Sequence, residues 1–231
     1  MGAETRKLQD RVASTATVKD KSARTLQLGL GGEMRDELLA GATTCFQGQL
    51  TTGELALDTP GLVTSDAAGP RTRGGYAKFL GSLCRTQGLS ADWQIVLRYT
   101  GQWARDNLDS SEKLSVGSVA GVRAYPSGEA SADDVQLVQL ELRHQGFALG
   151  QGQFVPFAFY DAARARINHR IFAGFAGRNV RELAGYGLGA EWTTLGGAFV
   201  RAWYARKAGS EAATAEPDRA ARFWTQAGIA F

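Results

Sequence analysis

Few residues of this 231-residue chain are of types that do chemistry, and their spacing argues against most of it. His144 and His169 lie far apart, with no Cys or acidic residue at ligand spacing, so no metal centre is expected. Cys45 and Cys84 form neither a CxxC pair nor a zinc pattern. No Ser, His and Asp stand in a nucleophile context. Glu141 and Asp161 could mimic the paired carboxylates of a glycosidase, but charge on a pore wall accounts for them better. Gly185, Gly187 and Gly189 repeat every second residue, not as G-x-G-x-x-G, and no βαβ context surrounds them. Small residues on the wall of a lumen explain them more simply. No catalytic residue, metal or cofactor is expected, and the chain does not read as an enzyme. Net charge is +3, with no basic run, so no nucleic-acid partner is expected either.

The elements that must position these residues alternate with a period of two. Leu26, Leu28 and Leu30 share one face; Ala42, Thr44, Phe46, Gly48 and Leu50 another. Trp93, Ile95, Leu97 and Tyr99 oppose Gln94, Val96, Arg98 and Thr100. Val138, Leu140 and Leu142 oppose Gln139, Glu141 and Arg143. The pattern recurs around 77–83, 154–161, 185–192 and 200–207, and in the terminal "RFWTQAGIAF", where Phe223, Ile229 and Phe231 share a face. With a weaker segment at "RVASTATV", this predicts about ten strands. No segment shows a sustained helical period. Cys45 and Cys84 fall on adjacent strands and flank a hairpin almost symmetrically, which leaves a disulfide geometrically conceivable.

The connections alternate too. Residues 36–40, 88–92, 145–151 and 194–196 are short; 56–73, 105–134, 164–180 and 206–221 are long and polar. Tight turns on one rim and long loops on the other describe an antiparallel up-and-down meander, as in outer-membrane barrels. The apolar faces end in aromatics such as Trp93, Tyr160, Tyr186 and Tyr204. The opposing faces carry Lys78, Arg98, Glu141, Arg143, Asp161, Glu191 and Arg201. A soluble β-barrel that binds a ligand would need these sides reversed. The bulky apolar residues are therefore expected to meet lipid and the charged ones to line a wet lumen. "MGAETRKLQDRVAS" has no apolar h-region, and no run of 18 apolar residues occurs, but neither fact bears on a membrane β-barrel.

One stretch is more specific. "NLDSSEKLSVGSVAGVRAYPSGEASADD", 107–134, leads into "VQLVQLELRHQ" and then "FVPFAFYDAARARIN". These residues resemble the outer-membrane transporters of two-partner secretion, the haemolysin secretion/activation family of ShlB, FhaC and HecB type. Family members carry a Val-Arg-Gly/Ala-Tyr loop tip, then Gly-Glu-Ala-Ser, then a Phe-x-Asp-x-Gly strand motif. Here the tip is Val122, Arg123, Ala124 and Tyr125, the loop stem is Gly128 and Glu129, and the barrel-wall motif is Phe159 and Asp161. Ala163 replaces the motif's last Gly, and no Trp follows Ser131 at the family's usual place.

The resemblance implies a fold and a job. The fold would be all-β, an antiparallel up-and-down transmembrane β-barrel portion matching the last ten strands of a sixteen-stranded barrel. Residues 1–231 would be its C-terminal part, a fragment lacking the periplasmic domains, signal peptide and first strands. The job would be passage of an unfolded secreted partner protein across the outer membrane of a Gram-negative bacterium. An outer-membrane pore or a barrel-assembly-type protein is the alternative within the wider superfamily. Arg123 of the tip would fold into the lumen and pair with Asp161. Phe223, Ile229 and Phe231 would form the C-terminal signal read by the outer-membrane assembly machinery. Partners would thus be the secreted protein, that machinery and outer-membrane lipid.

Overall fold

The computed structural model of the chain describes residues 1–12 and 17–229. The strands are β1 (Gly2–Val12), β2 (Thr17–Asp36), β3 (Ala42–Leu57), β4 (Gly74–Gly88), β5 (Trp93–Ala104), β6 (Asp134–His144), β7 (Phe147–Leu149), β8 (Gly152–Arg166), β9 (Val180–Thr194), β10 (Ala198–Lys207) and β11 (Ala221–Ile229). They form one sheet in which every pairing is antiparallel and every long strand neighbours its successor in the chain; the three-residue β7 hydrogen-bonds only to β8. This is the meander expected from the alternation of turns and loops.

Register follows the side-chain pattern, because a slip of one residue would turn every side chain to the wrong face. Leu28 faces Leu50, Leu50 faces Phe79, and Phe79 faces Trp103. Farther along, Leu140 faces Tyr160 and Tyr160 faces Tyr186, while Leu188 faces Tyr204 and Tyr204 faces Phe223. All of these are exposed. The opposite face holds Glu141 beside Phe159 beside Gly187, and Gln139 beside Asp161 beside Gly185. There Glu141, Asp161, Phe157 and Phe159 are buried. The sheet thus divides its faces, with apolar rows exposed and the charged face covered by the loop between β5 and β6. It also excludes an interior packed with Leu140, Tyr186 and Ile229, as a soluble barrel would require.

The expected barrel does not form. The hydrogen-bonded path runs from β1 to β11 and stops, and these two strands do not pair, so the sheet is open. Alternation specifies which way a side chain points; closure requires two distant edges to meet, and no local pattern encodes that. The described sheet has eleven strands, ten of them along its main path with the three-residue β7 beside β8, in line with the expected ten or so. The weak segment at "RVASTATV" straddles the end of β1 and the start of β2, and residues 13–16 within it lie outside the described residues. Phe231 lies outside them as well.

One helix was not expected. α1 (Pro60–Ala68) starts on a proline, which is tolerated in the first turn because its missing N–H has no helical partner there. It has no apolar stripe, so the period that betrays most helices is absent. Its one buried residue, Asp66, accepts hydrogen bonds from the Thr72 hydroxyl (2.8 Å) and from the Thr72 and Arg73 backbone N–H (2.8 and 3.0 Å). That returns the chain into β4. No described helix is long and apolar enough to cross a membrane, which says nothing of strands.

Candidate functional site: a loop latched onto the polar face

The connection between β5 and β6 does not hang free. It folds over the polar face and makes the main apolar core there: Val116, Val122, Ala124 and Tyr125 pack with Leu137, Phe157, Phe159 and Leu183. At its tip Arg123 is 2% exposed. Its position follows from strand geometry. Phe159 and Asp161 are two apart on β8 and share a face, and Glu141 is the cross-strand neighbour of Phe159. A planar group laid on Phe159 therefore has a carboxylate on either side. The guanidinium lies 3.6 Å from the Phe159 ring centroid. Its Nε and Nη2 donate to the two oxygens of Asp161 at 2.9 and 2.6 Å, and Nη1 donates to Glu141 at 2.6 Å. The Arg123 backbone N–H donates to Asp161 as well (3.1 Å), and its carbonyl accepts from Trp224 Nε1 on β11 (2.7 Å). Burial alone pulls the guanidinium's pKa down; Asp161 and Glu141 more than offset it, so Arg123 holds its proton more tightly than a free arginine.

Two glycines make room for this. A methyl group built on Gly185 would lie 2.5 Å from Ala124 Cβ, and one on Gly187 would lie 2.0 Å from the Tyr204 carbonyl oxygen and 2.6 Å from the Phe159 ring. The glycine stripe is therefore where the tip and the aromatic motif sit down on β9.

The stem is a second latch. Gly128 takes φ +81°, a conformation only glycine adopts without cost, and Ala130 follows at +49°. Between them Glu129, fully buried, accepts from the Thr214 and Ala215 backbone N–H (2.8 and 2.9 Å), the Thr214 hydroxyl (2.7 Å) and Arg181 (3.0 Å). Burial pushes its carboxyl up, but these donors outweigh burial and hold it below the usual carboxylate range. Arg181 also reaches Glu211, whose carbonyl accepts from Tyr125 Oη at 2.9 Å. Burial and then the Glu211 charge push the Tyr125 hydroxyl up to about 12. At the loop's ends, Asp109 pairs with Lys21 on β2 (2.9 Å), Glu112 with Arg6 on β1 (2.7 Å) and Lys78 on β4 (2.9 Å). Asp133 accepts from the backbone N–H of Leu108 (3.1 Å) and His169 (2.8 Å), and burial raises its pKa all the same. One loop thus touches strands from β1 to β11.

The tip and wall residues named from sequence meet at the Arg123 latch, and the stem residues Gly128 and Glu129 form the second one. Phe223 and Ile229 are exposed on the apolar face, away from it. Sequence reading missed Glu141 as the second partner of Arg123, and it missed Arg181, Glu211, Thr214 and Trp224. Trp224 left one signal, a large aromatic among Arg222, Gln226 and Gly228 on the polar face of the last strand. Cys45 and Cys84 are cross-strand partners, and both thiols are free. His169 Nδ1 lies 2.9 Å from Asp134, yet among the described residues no group of three or more ligands is assembled.

Known proteins resemble this chain in sequence and in shape. The family described as "Haemolysin secretion/activation protein ShlB/FhaC/HecB" matches residues 5–192. The "Heme/hemopexin transporter protein HuxB" of Haemophilus influenzae is 26% identical over 154 residues, covering 67% of this chain and 27% of that protein. Its counterpart in strain 86-028NP is 29% identical over 146 residues, 63% of this chain and 26% of its own length. The chain thus spans about a quarter of these relatives. "CdiB from Escherichia coli" shares the fold at TM-score 0.63 and 14% identity, over 99% of this chain and 49% of that one. The narrower expectation, a C-terminal barrel portion, is overturned: the family match stops at residue 192, short of β10 and β11, and the sheet is open. The family is one of outer-membrane transport proteins, not enzymes. With 188 of its 231 residues inside the match (5 to 192), the chain belongs to the haemolysin secretion/activation family of ShlB/FhaC/HecB type.

Proposed function

We propose that the chain serves two-partner secretion: it guides an unfolded partner protein across the outer membrane along its polar face, with the loop at 105–133 as the gate. The Arg123 latch carries this reading. A buried guanidinium shared by two carboxylates on two strands holds a long loop in one place, and it does so with ion pairs that can exchange for others. Removing one partner of such a buried pair costs about 3–5 kcal/mol, because the other charge is left stranded. The exposed rows of Leu28, Leu50, Phe79 and Trp103 suit contact with outer-membrane hydrocarbon. Phe223 and Ile229 on the last described strand suit recognition by the assembly machinery.

Arg123→Ala, in a family transporter carrying this segment, is expected to free the loop and to cut secretion of the partner at least tenfold. Secretion at the parental level, with the variant present in the membrane, would count against the gate.

A further inference from the structure

We propose that the polar face holds a binding groove for acidic stretches of an extended peptide, recognised through their carboxylates. The inference rests on the transport reading above and names the chemistry of what is carried.

The groove is a cavity of about 570 Å³ beside the latch, with Arg98, Arg143 and Arg201 around it and Phe157 and Trp203 lining it. Its charges do not cancel. Arg123 is taken up by Asp161 and one oxygen of Glu141. That leaves three guanidinium groups facing the second oxygen of Glu141 and the carboxylate of Glu191. Arg143 spends itself on both, at 2.9 and 3.4 Å. Arg98 comes no nearer than 3.6 Å to Glu141, its side chain donates no hydrogen bond among the described residues, and it keeps 43% of its side chain exposed. Arg201 meets Glu191 through Nε and Nη2, both at 3.2 Å, and its Nε finds no well-aligned acceptor. Its side chain is 38% exposed, and among the described residues its Nη1 has no hydrogen-bond partner.

Two half-exposed guanidinium forks, one on β5 and one on β10, thus face a shared cavity with donors to spare. A guanidinium fork matches a carboxylate at two points. The aromatic surface beside them suits the stems of Asp and Glu or a flat peptide bond. Thr86 and Gln94, also in the lining, add groups for a peptide backbone. Partly solvated pairs of this kind are individually weak, which suits a cargo that must move on.

The test uses the whole chain in detergent micelles and fluorescein-labelled octapeptides of alternating Asp-Gly, Ser-Gly or Lys-Gly, read by fluorescence anisotropy. The Asp-Gly peptide is expected to bind about tenfold or more tightly than the Ser-Gly peptide, and to weaken several-fold when salt rises to about 0.5 M. The R98Q/R201Q double variant is expected to lose that preference, and R98K/R201K to recover only part of it, since charge is retained but the two-point fork is lost. Equal binding of the acidic and neutral peptides, or undiminished Asp-Gly binding by R98Q/R201Q, overturns the groove. If the groove fails while Arg123→Ala still abolishes secretion, the transport reading survives alone. If acidic peptides bind as expected but Arg123→Ala secretes normally, the groove stands and the gate falls.

Discussion

Arg123 shows how one side chain gathers a site. Its fork needs a flat support and two acceptors, and the pleat of β8 and its pairing with β6 supply all three at fixed spacing. The same reasoning gives the glycines of β9 a role. Nothing at Gly187 demands an unusual backbone; the constraint is space, since the Phe159 ring and the Tyr204 carbonyl occupy the volume of a Cβ. Gly187→Ala is expected to destabilise the fold by about 1–3 kcal/mol through overpacking, with the loss read as a lower denaturant midpoint. Gly75→Ala, where the nearest heavy atom to a Cβ is a backbone oxygen 4.0 Å away, supplies the control and should change little. Equal midpoints for the two variants would remove the support assigned to Gly187.

At the scale of elements, the loop at 105–133 behaves as a strap with separate anchors. The stem anchor has a pH signature. The folded-state pKa of Glu129 lies below its ordinary value of 4.5, so the anchor's contribution is present above that value and is lost as pH falls through the lower folded one. Backbone amides of Thr214 and Ala215, protected by Glu129 at neutral pH, are therefore expected to exchange faster as pH falls below 4.5 and through the lowered folded value. Intrinsic exchange must be corrected for pH in that comparison. In Glu129→Gln the extra acid-induced exchange should vanish, because nothing remains to titrate there. An unchanged acid response in that variant would assign the effect to another carboxylate, such as Asp109, whose pKa is also lowered.

At the scale of the molecule, an open sheet carries a continuous apolar outer face and two unpaired edges. Water solvates the apolar rows poorly, and an unpaired strand edge offers a template for another chain, so both invite association. The purified chain is therefore expected to need detergent or lipid to stay monodisperse. Dilution below the micelle concentration should precipitate it, as followed by light scattering. A monodisperse monomer in plain buffer would overturn the lipid-facing assignment. The strap works against the openness: by joining β1 and β2 through Glu112 and Asp109 to β11 through Arg123, it crosses the polar face from one side of the sheet to the other.

Much of this was legible in the chain. Period-two alternation set the strands and their faces, because burial acts on each side chain in turn. The order of short turns and long loops set the meander. The resemblance carried by the motifs within 107–168 pointed to Arg123, Asp161, Gly128 and Glu129. What only the tertiary structure decided depends on groups far apart in sequence: that the sheet stays open, that α1 forms without an apolar stripe, that Glu141 shares Arg123, and that Glu129 reaches Thr214 across 85 positions. Alternation is a local signal. Which edge meets which, and which carboxylate meets which arginine, is settled only when the whole sheet has taken its register.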